Sequence, residues 1–161
     1  MTDFRTLLSV LVRAQVEFIV VGGAAAVAHG SARLTQDLDI VYRRTPKNIS
    51  RLVRALSPFK PYLRGAPPGL PFAWDEQTLQ RGLNFTLTTQ IGDIDLFSEI
   101  TGGGDYDRLL PGTIRIDVFG NSCLCLGLPQ LIMVKRASGR PRDLEAIAEL
   151  EAILEERRHN S

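Results

Sequence analysis

The chain has 161 residues, of which 44% are hydrophobic and 23% charged. That is the composition of one ordinary globular domain spanning 1–161, and it excludes disordered, collagen-like and disulfide-scaffold classes. Its 19 Lys and Arg against 18 Asp and Glu leave a formal charge of +1, so no global field directs it to nucleic acid or an anionic membrane. The two cysteines, Cys123 and Cys125, alternate on a predicted strand and read as buried structural thiols. No further cysteine exists to complete a zinc site, and an i, i+2 disulfide is geometrically poor. The first residues lack the basic, apolar and small-residue regions of a signal peptide, and the longest apolar run, 18–28, is too short for a membrane span. A soluble protein of the reducing cytoplasm is expected.

In chain order, Thr2 or Asp3 caps a helix whose apolar positions Phe4, Leu7, Leu8, Leu11 and Val12 follow helical spacing. Phe18 to Val21 is a short apolar strand, stopped by Gly22-Gly23, and Ala24 to Ala28 forms a helix ending near Gly30. Leu38 to Tyr42 is a second strand, and Pro46 opens a helix to about Leu56. Pro58 to Pro71 carries five prolines and two glycines and reads as a long loop. Two antiparallel hairpins follow, Leu83–Thr89 with Asp93–Phe97, then Thr113–Val118 with Ser122–Leu126. Helices over Pro129–Ala137 and from Arg142 to about Arg157 end the chain, separated by Gly139-Arg140-Pro141. The expected class is α+β, a mixed sheet with helices mainly on one side.

The residues most suggestive of chemistry are Asp37 and Asp39 in Asp-Leu-Asp-Ile. On a strand, residues i and i+2 share a face, which brings two carboxylates within a few ångströms. They repel unless a cation lies between them, and hard oxygen ligands suit Mg²⁺ or Mn²⁺. An isolated Asp-x-Asp also fits a strand edge with solvated aspartates. Asp93 and Asp95 repeat the pattern on another strand; Asp95 is the better candidate to reach the first pair, because Asp93 also fits a turn. The Gly22-Gly23 turn offers backbone N–H groups to an anion, although a glycine pair ending a strand is more often simple turn chemistry. It is not the Gly-x-Gly-x-x-Gly of a dinucleotide-binding unit.

In this order, Val20-Val21-Gly22-Gly23, Asp37-Leu38-Asp39 and Ile94-Asp95-Leu96 resemble the nucleotidyltransferase superfamily that includes DNA polymerase β. With Arg33-Leu34-Thr35-Gln36 before the aspartates and Lys135-Arg136-Ala137-Ser138-Gly139-Arg140-Pro141-Arg142-Asp143 later, the chain is similar to the small bacterial branch of AbiE-type toxin nucleotidyltransferases, over about residues 17–145. Many members have Ser after the turn glycine; this chain has Ala24. The resemblance implies a minimal nucleotidyltransferase fold. It further implies that Asp37, Asp39 and Asp95 hold divalent ions on a nucleoside triphosphate such as ATP and catalyse transfer of its nucleotide, and that Lys135 contacts the triphosphate. Arg140 and Asp143 would form a pair that positions Lys135, and Arg33 and Thr35 would line the nucleotide site beside Gly22 and Gly23. For Lys135 a solvated helix end, and for the others a polar loop or helix-start charges, are the plainer alternatives. His29 is expected to cap a helix or lie at the surface.

Between Ile40 and Trp74 there is no acidic residue but seven basic ones. Arg43, Lys47, Arg51 and Arg54 would form one stripe if helical spacing held throughout. Such a stripe suits an RNA phosphate backbone, or is simply a solvated helix face. Tyr62, Phe72 and Trp74 could stack on a base or pack the loop onto the core. The leading expectation is therefore nucleotide transfer to RNA, such as a tRNA end, in a toxin–antitoxin-like setting with a cognate partner protein. Adenylylation of a partner protein or of a small hydroxylated molecule, and a catalytically silent interaction module, are the alternatives.

Overall fold

The computed structural model describes residues 1–141 and 143–160. Helix α1 (Phe4–Arg13) is capped by Asp3, whose carboxylate accepts the Thr6 N–H at 3.1 Å, and it buries Leu7, Leu8 and Leu11. Strand β1 (Phe18–Val21) is buried along its whole length. It runs straight into α2 (Gly22–Ala28), followed by β2 (Asp37–Tyr42). Helix α3 (Pro46–Leu56) carries Pro at its start and a Thr45 cap.

The proline-rich segment is not all loop. A 3₁₀ turn at Ser57–Phe59 leads to a two-residue strand, β3 (Tyr62–Leu63). A short helix absent from the sequence reading, α4 (Glu76–Arg81), starts at an Asp75 cap. Next come β4 (Phe85–Thr89) and β5 (Gly92–Phe97), then a small ribbon of β6 (Glu99–Ile100) and β7 (Gly104–Asp105) with α5 (Tyr106–Leu109). β8 (Thr113–Val118), β9 (Asn121–Leu126), α6 (Leu128–Ser138) and α7 (Asp143–His159) complete the order. The expected start of the last helix at Arg142 lies outside the described residues.

The two expected hairpins belong to one mixed sheet, ordered β3-β4-β5-β2-β1-β9-β8. β2 pairs antiparallel with β1 but parallel with β5, and β1 pairs parallel with β9. Leu38 and Ile40 of β2 lie beside Ile94 and Leu96 of β5, all four fully buried. Cys123 and Cys125 are buried and unpaired, and burial pushes their thiols up to about 11 and about 12.

Two buried polar groups tie the layers together. The Asn48 side chain accepts the Glu17 N–H and donates to the carbonyls of Glu17 and Arg43, fixing the start of α3 to the turn before β1. His29 caps the end of α2, as one of its two expected roles had it, but it is 2% exposed and not a surface residue. Its Nε2 lies 2.7 Å from the Leu126 carbonyl, and its Nδ1 lies 3.1 Å from Arg157 Nη1, while Arg157 Nη2 donates to the His29 carbonyl. Arginine only donates, so Nδ1 accepts and Nε2 carries the proton.

Truncating Ile40 or Leu96 to Ala is expected to cost about 2–5 kcal/mol, read as a shift of the denaturant midpoint. Burial, aided by the Arg157 charge and opposed by the Leu126 carbonyl, holds His29 below its usual range. The unfolded chain therefore takes up this proton first, and stability present above about pH 6.5 is lost as pH falls towards the folded value. His29→Gln keeps one donor and one acceptor, so its melting temperature should lose that acid dependence between about pH 6.5 and 5; an unchanged profile would remove His29 as its source.

Candidate active site

Strand register assembles the candidate site. In the parallel β2–β5 pair, Asp37 lies beside Asp93 and Asp39 beside Asp95. Alternation then puts all four carboxylates on one face of the sheet and the apolar Leu38, Ile40, Ile94 and Leu96 on the other. One oxygen from each of Asp37, Asp39 and Asp95 lies within 4.8 Å of the others. The turn at the end of β1 covers them, since Val21 pairs with Asp39. Gly22 has φ +62°, and a Cβ there would overlap Asp39 Oδ2; a Cβ on Gly23 would come 2.6 Å from Thr35 Oγ1. Only glycine meets both demands at position 22.

A cation enters this cluster from the proline-rich segment, expected to be loop throughout. Arg64 continues β3, donating its backbone N–H to the Thr86 carbonyl, and Thr86 pairs with Asp95. Its guanidinium lies on the carboxylate face, with Nη2 2.7 Å from Asp95 Oδ1, Nη1 3.3 Å from Asp37 Oδ2 and Nε 3.4 Å from Asp93 Oδ2. The Nε contact is an ion pair without a hydrogen bond. Arg64 was one of seven basic residues in an acid-free stretch; its role was hidden because a two-residue strand leaves almost no alternation to read.

One arginine does not balance four aspartates. Asp39 Oδ1 is buried with no hydrogen-bond partner. Burial, then the charges of Asp37 and Asp95, push Asp39 up to about 8, with Arg64 opposing. Asp37 is raised by burial and by Asp95, again against Arg64. Ion-deficient carboxylates around an unpartnered oxygen fit a hard divalent cation, which removes the repulsion that otherwise retains a proton.

Beside the carboxylates opens a cleft of about 730 Å³. Gly22, Gly23, Thr35, Asp37 and Asp39 line it, together with Lys135, Ser138, Arg140 and Asp143 from the end of α6 to the start of α7. Asp95 does not line it but lies behind, against Arg64. Among the described residues Lys135 has no ion-pair partner. The expected Arg140–Asp143 pair is present at 3.8 Å, and the Ser138 hydroxyl lies 2.9 Å from Asp143 Oδ2. Ala24 is fully buried and does not line the cleft.

Other expected residues fall elsewhere. Arg33 lines a smaller adjoining cavity of about 280 Å³ and pairs with Glu145 at 3.3 Å and Glu149 at 3.9 Å. The continuous basic stripe breaks at Arg43, because α3 begins only at Pro46. Arg43 pairs instead with Glu17 at 2.9 Å and Asp107 at 3.2 Å, beyond the end of β2 remote from Asp37. Lys47, Arg51 and Arg54 keep helical spacing on α3, and Arg51 donates to the Gln15 carbonyl. Trp74 donates to the Val53 carbonyl and Tyr62 packs edge-on against Phe72, so these rings hold the loop to the body.

The raised Asp39 sets a pH signature for the metal-free protein. The folded state keeps a proton that the unfolded chain releases near pH 4, so this stabilisation is lost as pH rises through about 8. Asp39→Asn mimics the protonated acid. Its melting temperature relative to wild type should climb steadily from pH 5 to 8 in the presence of a chelator; a constant difference would contradict the raised pKa.

No protein-family model and no curated protein matches this chain. A solved structure does, the crystal structure of a candidate nucleotidyltransferase, TM1012, from Thermotoga maritima. The likeness covers 97% of this chain and 96% of that one, with a TM-score of 0.54 and 15% identity. At that identity it establishes a shared fold: this mixed α+β chain is built like the Thermotoga protein from one end to the other.

Proposed function

We propose that the chain is a metal-dependent nucleotidyltransferase that moves a nucleoside monophosphate from a nucleoside triphosphate to a hydroxyl on RNA. The observation that carries this reading is the unpartnered Asp39 Oδ1 among four same-face carboxylates, beside a cleft that Lys135 and Arg140 also line. Asp37, Asp39 and Asp95 would hold Mg²⁺ or Mn²⁺. Such ions, when bound, make the attacking oxygen a better nucleophile and neutralise the departing pyrophosphate.

The remaining work belongs to the chain itself. Lys135, without an ion-pair partner among the described residues, is available for the triphosphate, and Arg140, held near Asp143, adds a second cation. Gly22 and Gly23 allow backbone to approach the same ligand, and Thr35, hydrogen-bonded to the Asp37 carbonyl, shapes the nucleotide side of the cleft. Arg33 braces that wall from the adjoining cavity. Asp95, held by Arg64 and lining neither cleft, would complete the ion site, and the site as a whole would set the proximity on which in-line transfer depends. Lys47, Arg51 and Arg54, with Arg43 engaged elsewhere, are the cations left for an RNA backbone. The toxin-like setting rests on the resemblance in 33–39 and 135–143. Two buried free thiols and the absence, among the described residues, of a helix long and apolar enough to cross a membrane suit action in the cytoplasm.

A second reading, transfer to a small hydroxylated molecule, is favoured by another cleft of about 610 Å³. It shares Leu34, Thr35 and Gln36 with the first and is lined further by Thr88, Gln90 and Asp93, with no lysine or arginine. Hydrogen-bonding walls whose one charged side chain, Asp93, repels phosphate suit an uncharged acceptor better than a phosphate backbone.

The test is incubation with Mg²⁺, each labelled triphosphate in turn and total cellular RNA, protein and small-molecule fractions. Label on RNA is expected, and Asp39→Asn should lower it on the order of 10²-fold or more. Label on a small molecule or a protein moves the assignment to those acceptors, and no variant-sensitive label in any fraction leaves a silent module.

A further inference from the structure

The placement of Arg64 supports an inference about how the carboxylates are kept ready for a cation, one that rests on the metal-site part of the function proposed above. Four observations bear on it. The guanidinium meets one oxygen of each of three aspartates, Oδ2 of Asp37, Oδ2 of Asp93 and Oδ1 of Asp95. It is fastened independently of them, because Nη2 also donates to the Leu87 carbonyl at 2.7 Å and the backbone N–H is bonded to Thr86. It makes no ion pair with Asp39, the residue whose Oδ1 is buried and unpartnered. Its side chain is 26% exposed, less than those of Asp37 and Asp93.

We propose that Arg64 is a positioning residue for the metal site, gripping Asp37 and Asp95 by one oxygen each so that their remaining oxygens are presented, together with Asp39 Oδ1, to a divalent cation. The planar fork suits this task. A guanidinium reaches two carboxylates in fixed directions and keeps them from rotating towards one another, whereas an ammonium is a point charge without directional hold. Anchoring on Leu87 holds the fork in place whether or not the carboxylates are otherwise engaged, and partners of this kind set the orientation of metal-binding side chains in general. Positioning and simple charge balance make opposite predictions. A resident positive charge repels an incoming cation, so Coulomb's law alone says that removing Arg64 tightens metal binding. Loss of orientation says that removal weakens it.

The experiment is Mn²⁺ binding followed by electron paramagnetic resonance, without nucleotide, on wild type, Arg64→Gln, Arg64→Lys and Asp39→Asn, each confirmed folded by its melting curve. Arg64→Gln should bind Mn²⁺ roughly 10–100-fold more weakly than wild type. Arg64→Lys should recover little of that loss although its charge is kept, and Asp39→Asn should bind least. Equal or tighter binding by Arg64→Gln overturns the proposal and makes Arg64 a competing counter-ion. Should Arg64→Gln fail to fold, Arg64→Lys decides alone: wild-type affinity overturns the proposal and weaker binding supports it. A wild type that binds no Mn²⁺ overturns it as well. Because no nucleotide is present, a protein that binds Mn²⁺ as expected yet labels no acceptor would sink the transferase assignment and leave the role of Arg64 standing.

Discussion

Like charges on neighbouring parallel strands repel, and the middle of this sheet is built around that repulsion. Asp37 with Asp93 and Asp39 with Asp95 are direct register partners, so the backbone hydrogen bonds that pair β2 with β5 also force the carboxylates together. The arrangement persists because the opposite face of the same strands is fully buried, with Leu38, Ile40, Ile94 and Leu96 locking a register that no one-residue slip preserves. Core packing on one face thus holds an unfavourable charge pattern on the other. The stability of the scaffold carries the cost of the charge cluster.

The surrounding elements respond to that constraint. β3 is only two residues long, yet it leads into the one guanidinium that, among the described residues, reaches three of the four acids. The turn after β1 has no side chain over Asp39, so the carboxylate most deprived of partners lies against backbone. The Thr2 hydroxyl bridges the Gln36 carbonyl and the Asp93 N–H, tying together the ends of β2 and β5 from which the acids project. None of these three contacts is local in sequence.

That non-locality marks the boundary of what the sequence made legible. Strands with strong alternation or continuous apolar character, β1, β2, β5, β8 and β9, were readable to within one or two residues, as were α1, α3 and α6. Asp37, Asp39 and Asp95 were recognisable as a group because strand period and order both pointed to them, and they do converge. Short elements are too brief for periodicity: α4, α5, the β6–β7 ribbon and β3; Asp75 and Asp105, which cap α4 and α5, are the local signals that a cap search would find. The basic stripe fails at Arg43 for a related reason, since helical spacing does not extend across the helix start that Thr45 and Pro46 set. His29 caps α2 as expected, but its burial was not legible because its side-chain partners, Leu126 and Arg157, lie 97 and 128 residues away.

The same long reach has a consequence for the order in which the protein is assembled. Ser31 and the Ala32 N–H, in the connection between α2 and β2, are held by Glu149, and the end of α2 is held by Arg157. Both partners belong to the last helix. While the chain is being synthesised, the strands bearing Asp37, Asp39 and Asp95 emerge long before the helix that braces the segment leading into them. A ribosome-bound chain therefore carries the acids without the finished cleft wall, and the wall is completed only when α7 docks.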